Sequence, residues 1–426
     1  MSSLGSFFMG LYATRYLTDS ALGVYALFYS CFIALCIVPT NLVFTPAEVR
    51  STDVVRPRRA ELLSQSLRLG GPPAFATALL VPLVLFIPAQ VSLGTRIGFA
   101  VGATAVTIMS PMQDHVRRML HQSGQSWTSA QVSAIQALTV LVTLLLAIVV
   151  HLPAAWVPFG ALTLANVVSG TFGYARSGAG RRAPLILSLK ELLRSGRWLA
   201  LSGIVSTAGQ FINVAILTAI VGSAAAGHVE ATRVLAQPVT VVVVGLLAVL
   251  NPELMAATRA RDVTKLIRYL GLFFALVSAV LVAWIVVVGF KAPWNPVPHF
   301  LPRSYDVPKL LPAMIVSEGT GYTVLAFITI AVAAGRERAS TWAGLSLTVV
   351  SALVTGATAS SLGAFSLVWA GLAGVVVLYI VYLRIVRQIF RDVSGPIGAD
   401  AEPGAVVVSP GGRLRRPIEF QFPEVH

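Results

Sequence analysis

Charge is what this sequence has least of. Only 11% of its 426 residues are Asp, Glu, Lys or Arg, against roughly a quarter in a soluble globular domain, and 56% are apolar. That shortage excludes an ordinary soluble enzyme and calls for a chain that turns its apolar surface to lipid. Cysteine is nearly absent as well. Cys31 and Cys36 are the only two, inside one apolar run, which excludes a disulfide framework, a zinc cluster or a thiol redox pair and leaves two small core hydrophobes. Acidic residues number 17 against 31 Lys and Arg, a formal charge of +14. The basic residues are spread through short connections, and a nucleic-acid surface needs them concentrated. Metal-ligand spacings, a phosphate-binding Walker loop and a His-Glu-x-x-His helix are all missing, and the few acids inside apolar runs are not clustered as a catalytic pair. The chain therefore reads as a non-enzyme without cofactor or metal. A cleavable signal pattern is missing too, so the opening apolar run reads as a retained span.

What the chain does have is long apolar runs. At about 20 residues per membrane-crossing helix, twelve spans are expected, over 2–17, 21–44, 70–91, 97–120, 129–150, 154–174, 198–221, 225–250, 266–289, 309–334, 341–361 and 364–388. The first is about a turn short, so it either tilts little or continues upstream of Met1. Loop charge sets the orientation. Arg50, Arg56, Arg58, Arg59 and Arg68, then Arg176 to Arg197, Arg259 to Arg268, Arg336 and Arg338, and the C-terminal arginines fall on one side. Only Arg15, Arg96, Lys291, Arg303 and Lys309 fall on the other. Basic loops stay inside, so both termini are expected in the cytoplasm. Arg outnumbers Lys and Ala, Val and Gly abound, as in a GC-rich bacterial genome, which points to a bacterial plasma membrane.

Residues 175–197 interrupt the hydropathy and divide the chain into an N-terminal lobe (1–174, spans 1–6) and a C-terminal lobe (198–390, spans 7–12). This linker contains LILSLKELLRSGRW, an amphipathic piece expected to lie along the interface. Short repeats support two related halves. LTDSALGVYA between spans 1 and 2 parallels VGSAAAGHVEA between spans 7 and 8, and MLHQSGQSWTSA parallels AVAAGRERASTWAG. Such repeats are a transporter architecture with the site between lobes. The outer loop 290–308 carries five prolines and reads as a stiff cover. Residues 391–426 read as a disordered cytoplasmic tail, whose basic GGRLRRP run either touches anionic lipid or is simply solvated.

Four stretches resemble the polysaccharide flippase family of the multidrug/oligosaccharidyl-lipid/polysaccharide exporter superfamily. RYLTDSALGVYALFYS is similar to its span 1–2 hairpin, SPMQDHVRRMLHQSGQ to the end of its span 4, and ATRVLAQPVTVVVVGLLAVLNPEL to its span 8. FLPRSYDVPKLLPAMI is similar to the start of its span 10, with Ser304 where the family has glycine. A longer first span is usual in that family. The resemblance implies a V-shaped, two-lobe, all-α bundle that flips undecaprenyl-pyrophosphate-linked oligosaccharide to the outer leaflet for surface polysaccharide assembly. Implied partners are membrane lipids, the lipid-pyrophosphate-linked glycan, a coupling H+ or Na+, and glycan polymerase or glycosyltransferases. The chain is read as a monomer that binds no nucleic acid.

The residues themselves leave alternatives open. Asp114, Arg117, Arg118 and His121 share one helix face at i, i+3, i+4 and i+7. The arginines either snorkel to headgroups while Asp114 pairs with Arg118, or stand on a cavity floor and collect a pyrophosphate. His121 either joins them or is simply interfacial. Gln210 and Asn213 in span 7 either bond neighbouring helices or recognise sugar. Glu230 and Arg233 in span 8 and Glu318 in span 10 give two carboxylates to one guanidinium. The spare acid, Glu318 or Glu230, either binds a coupling ion or stays neutral beside a static pair. Arg15 either anchors the outer interface or joins the ligand set. Besides the flippase, two readings stand: a cation-coupled multidrug exporter on the same scaffold, and a non-transporting membrane scaffold for glycan-assembly enzymes.

Overall fold

A long apolar segment in lipid must satisfy every backbone polar group within itself, and in a single segment only a helix does so. The computed structural model describes residues 4–51, 54–179, 187–289, 295, 309–334 and 336–394, and these form helices with no strand among them. Arg181 and Arg182 of the linker, most of the proline-rich outer loop with Ser304, and the tail beyond residue 394 lie outside the described residues.

In chain order the helices are α1 (Leu4–Tyr16), α2 (Asp19–Pro39), a π-helical turn (Thr40–Phe44), α3 (Thr45–Ser51), α4 (Arg56–Ala78), a 3-10 turn (Val81–Phe86), α5 (Leu93–Gln122), α6 (Ser126–Val150) and α7 (Val157–Arg176). The second half has α8 (Leu189–Ile220), α9 (Ser223–Arg259), α10 (Val263–Gly289), α11 (Leu310–Ala333), α12 (Glu337–Leu362) and α13 (Phe365–Ser394). A helix stands at each of the twelve expected spans. Ten stretches are long and apolar enough to cross a membrane, so the chain is a multi-pass membrane protein. The two that fall short are α1, whose 13 residues give about 20 Å at 1.5 Å each, and α7, diluted by Thr163, Asn166, Ser169 and Thr171.

Three boundaries differ from expectation. Span 2 does not stop at residue 44. Pro39 lacks the donor that an i−4 bond needs, the ladder widens so that Thr45 N–H reaches the Thr40 carbonyl, and the helix resumes to Ser51. Span 3 begins near Arg56, so Arg58, Arg59 and Arg68 are helical, and it ends at Ala78, after Pro72 and Pro73. The linker's amphipathic piece is no separate surface helix, because α8 runs unbroken from Leu189 to Ile220. At the α9–α10 turn Asp262 caps α10. The Lys265 backbone N–H donates to Asp262 Oδ1 at 3.0 Å, and that bond, with the Lys265 ammonium, holds the Asp262 carboxyl below its usual range.

Helices α4 to α7 pack on one another and on α1 and α2, and α8 to α13 pack among themselves. The halves meet chiefly where α2 lies against α8 and α9. Two glycines make that approach possible. A Cβ on Gly23 would overlap the Ser223 carbonyl oxygen, and a Cβ on Gly227 would overlap the Asp19 carbonyl oxygen. In the repeats read from sequence, Asp19 aligns with Ser223 and Gly23 with Gly227. The contact is therefore reciprocal, as a twofold relation between two elements requires. Beside it, His228 Nε2 lies 3.2 Å from Asp19 Oδ2. Toward the other end of α2, Gly196 of α8 abuts the Asn41 and Leu42 carbonyls of the π turn, and Asn41 Nδ2 donates to Leu199 O at 3.1 Å.

Candidate functional site

The stretch 111–122 forms the last turns of α5, and the packing of that helix decides what its polar face sees. Small residues let α7 come close: a Cβ on Gly102 would press on Phe159, and one on Gly173 on Val116 and Val132. Next to that contact α5 borders a cavity of about 230 Å³. Its polar wall is Ser110, Gln113, Asp114 and Arg117 of α5 with Gln136 of α6 and Ser6 of α1. Phe32 and Ile33 of α2, Leu162 of α7 and Val244 of α9 complete it, so both halves contribute. Whole-ligand pockets usually span roughly 300–1,000 Å³, so this one accommodates a head group rather than an entire amphipathic molecule.

Of the readings left open, the pairing of Asp114 with Arg118 is present, and Arg117 joins it. Asp114 accepts from Arg117 Nη2 at 2.5 Å and from Arg118 Nη2 at 2.6 Å. Arg118 also reaches Glu48 Oε2 of α3 at 3.5 Å. Of the two guanidinium groups, Arg117 lines the cavity, and Arg118 stands behind it between two carboxylates. Glu48 lies beyond the apolar run expected for span 2, which ends at residue 44. The π turn carries the helix on to it, where it is buried. His115 completes the cluster. Its Nδ1 lies 3.0 Å from Glu48 Oε1 and its Nε2 lies 2.7 Å from Ser66 Oγ, with the ring stacked on Phe44 at 4.4 Å. Ser66, His115 and Glu48 stand in the order of a hydrolytic triad. Ser66, however, is fully buried and its hydroxyl donates to Leu63 O, so it is no nucleophile. No group of three or more His, Cys, Asp or Glu among the described residues could hold a metal ion.

Three amides sit beside the charged wall. Gln136 Nε2 donates to Asn166 Oδ1 at 2.6 Å and to Gln113 Oε1 at 3.5 Å. This fixes the amides so that their oxygens are used and, among the described residues, Gln113 Nε2 and Asn166 Nδ2 are left buried without a partner. An unmet buried donor costs about 1–3 kcal/mol, and a ligand bringing oxygen acceptors would relieve it. The sequence offered Asn166 too little context to interpret, and Gln113 and Gln136 were not singled out. Their signal was a polar residue on three apolar helices, which acquires meaning only when the helices meet.

A second polar centre lies at the seam of the halves. Arg233 of α9 pairs with Glu230 Oε2 at 2.9 Å and lies over the Tyr29 ring of α2 at 5.7 Å. The Gln210 amide oxygen of α8 faces the same guanidinium and accepts from it. Glu318 of α11 interacts electrostatically with both Arg233 and Glu230. The structure thus brings Gln210, Glu230, Arg233 and Glu318 together. Tyr29 also hydrogen-bonds Ser6, which lines the cavity, so the two centres adjoin.

Other expected residues stand apart. Asn213 is one turn from Gln210, with a buried oxygen lacking a partner. Arg15 is exposed, nine residues or about 13 Å of helix from Ser6, and does not line the cavity. His121 bonds Ser126 Oγ at 3.1 Å on an exposed surface.

No family model matches this chain, and no curated protein matches it. Solved structures do match. The inward-facing conformation of a multidrug resistance MATE family transporter of the MOP superfamily superposes at TM-score 0.74 with 16% identity, covering 92% of this chain and 96% of that one. An outward-facing conformation so described matches at 0.64, with 15% identity and 92% and 94% coverage. The lipid II flippase MurJ, in an inward closed conformation, matches at 0.59 with 12% identity, covering 91% and 89%. The fold is that of these transporters.

Proposed function

We propose that this chain is an alternating-access transporter that moves an undecaprenyl-pyrophosphate-linked oligosaccharide across the bacterial plasma membrane. The observation that carries this reading is the cavity wall, which holds the Arg117 guanidinium together with Gln113, whose buried Nε2 has no hydrogen-bond partner among the described residues. A guanidinium and a spare amide donor suit phosphoryl and sugar oxygens. The lobes 1–174 and 198–390 would rock about the α2 seam, with 175–197 joining them on the cytoplasmic side. The better fit to an inward-facing than to an outward-facing relative supports a cavity loaded from the cytoplasm. Arg15 and Asn213 are left out of the head-group contact. Gln210 and Arg233 border the site through Tyr29 and Ser6, where the glycan would extend.

Removing Arg117 alone would strand part of the Asp114 charge, so the test removes charge in balance. In proteoliposomes, the pair Arg117→Gln with Asp114→Asn should slow flipping of the lipid-pyrophosphate-linked glycan by about 10–100-fold, equivalent to one lost charge-assisted contact of ~1.5–3 kcal/mol. Flipping at the wild-type rate would end the flippase assignment.

A cation-coupled multidrug exporter is the second reading, favoured by the higher TM-score of the multidrug relative. It predicts ion-driven efflux of lipophilic organic cations and indifference to the glycan lipid. Under either reading Glu318 carries the coupling ion, H+ or Na+. Glu318→Gln should abolish the response of transport to an imposed ion gradient, leaving any pH dependence of substrate binding in place, and an unchanged gradient response would remove Glu318 from the mechanism.

A further inference from the structure

The Glu48–His115 contact is buried and has no part in the transport scheme above. Its hydrogen-bond inventory fixes where protons must be. His115 Nε2 faces two acceptors: the Leu63 carbonyl at 3.1 Å and Ser66 Oγ, whose own proton is committed to Leu63 O. A carbonyl can only accept, so Nε2 carries a hydrogen. On the far side of the ring, Nδ1 lies 3.0 Å from Glu48 Oε1. A carboxylate also only accepts, so this contact holds only if a further proton lies between them. Arg118, 3.5 Å from the other Glu48 oxygen, favours the ionised carboxylate and so places that proton on the imidazole.

The groups that face His115 are few. From α3 comes Glu48, from α4 Ser66 and the Leu63 carbonyl, and from the π turn Phe44. The charges of its own helix reach it through Glu48, by way of Arg118 and then Asp114 and Arg117. With the proton present the cluster has three cations, Arg117, Arg118 and His115, against two anions, Asp114 and Glu48. Without it the cluster is neutral.

We propose that His115 and Glu48 form a binding site for one exchangeable proton, linked to anion occupancy of the cavity through Arg118, Asp114 and Arg117. This rests on the cavity being an anion site. An anion that draws Arg117 from Asp114 leaves Asp114 to Arg118, which loosens Arg118 from Glu48. The stranded negative charge then holds the proton more tightly. Linkage is reciprocal, so the proton must in turn favour the anion. Binding therefore weakens as pH rises through the titration of the pair.

The test measures inorganic pyrophosphate affinity by calorimetry across pH in detergent-purified protein. It compares wild type with His115→Gln and with Glu48→Gln, which keeps a hydrogen-bonding partner for the ring and guards against misfolding of the first variant. The ligand's own protonation is common to all three proteins and cancels. Wild-type affinity should fall about tenfold more than that of either variant between the acidic and basic ends of the series, a coupling of ordinary allosteric size. In nitrogen-15 histidine spectra, wild type should show an imidazolium signal with both ring nitrogens protonated that is absent from His115→Gln. Equal pH dependence in all three proteins, or a His115 ring bare at Nδ1 throughout, overturns the linkage while leaving the cavity intact. Failure of pyrophosphate to bind any of them at any pH overturns the anion site, and the linkage with it.

Discussion

Replacing Arg233 with Gln should be the most damaging single substitution in the protein. Arg233 is the one cation bonded to Glu230, whose side chain is only 5% exposed, and it is the cation facing Glu318 as well. It also satisfies the Gln210 oxygen and covers the Tyr29 ring. Removing one partner of a buried pair leaves an uncompensated charge and costs ~3–5 kcal/mol, about a fifth or more of a typical folding free energy. Glu230→Gln added to Arg233→Gln restores charge balance at that pair, and paired apolar or neutral replacements of buried ions are often close to neutral. The single variant should lose most folded yield and melt well below wild type in detergent, and the double variant should recover most of both. A double variant no more stable than the single would mean that the cost is lost packing on Tyr29 and not an unpaired acid.

The second large effect is steric and falls on conformational change. Gly23→Leu places four carbons where the Ser223 carbonyl stands, and a backbone oxygen cannot turn aside as a side chain would. Overpacking of a well-packed contact costs ~1–3 kcal/mol, sometimes more. Two transporter conformations differ by only a few kcal/mol, so the substitution should part α2 from α9 without unfolding either half. Ser20→Cys labelling by a water-soluble maleimide should rise about tenfold or more in a Gly23→Leu background while thermal stability changes little. Gly227→Leu should do the same, because the contact is reciprocal. Labelling that stays at the wild-type level would show that the contact yields by local adjustment and is not a seal between the halves.

The sequence showed much of this. Apolar runs gave the helices, the break near residue 175 marked the halves, and the paired Gly23 and Gly227 repeats marked the two segments that prove to touch. The stretch 111–122 was recognisable as important because Asp114, Arg117 and Arg118 are costly inside an apolar run. What it could not show was their partners. Glu48 lies outside the apolar run 21–44, because Pro46, Glu48 and Arg50 interrupt hydropathy there, yet the ladder widens by one residue at the π turn and the helix continues to Ser51. His115, next to Asp114 in sequence, points toward α3 and α4, a direction set by how α5 rolls against α7. Gln113, Gln136 and Asn166 are single polar residues on three helices, and their shortage of acceptors exists only where those helices converge.

By itself, then, the sequence determined a multi-pass helical membrane protein and the helix carrying the charged face, because hydropathy and helical period are local properties of the chain. The tertiary structure alone decided that Glu48 joins this face, that the face borders a small cavity with the buried Gln113 amide in its wall, and that Gln210 faces the arginine beside Glu230 and Glu318. Charge pairing and donor surplus depend on which helices cross and at what distance. That is set by glycine contacts such as Gly23 on Ser223, between residues far apart in the chain.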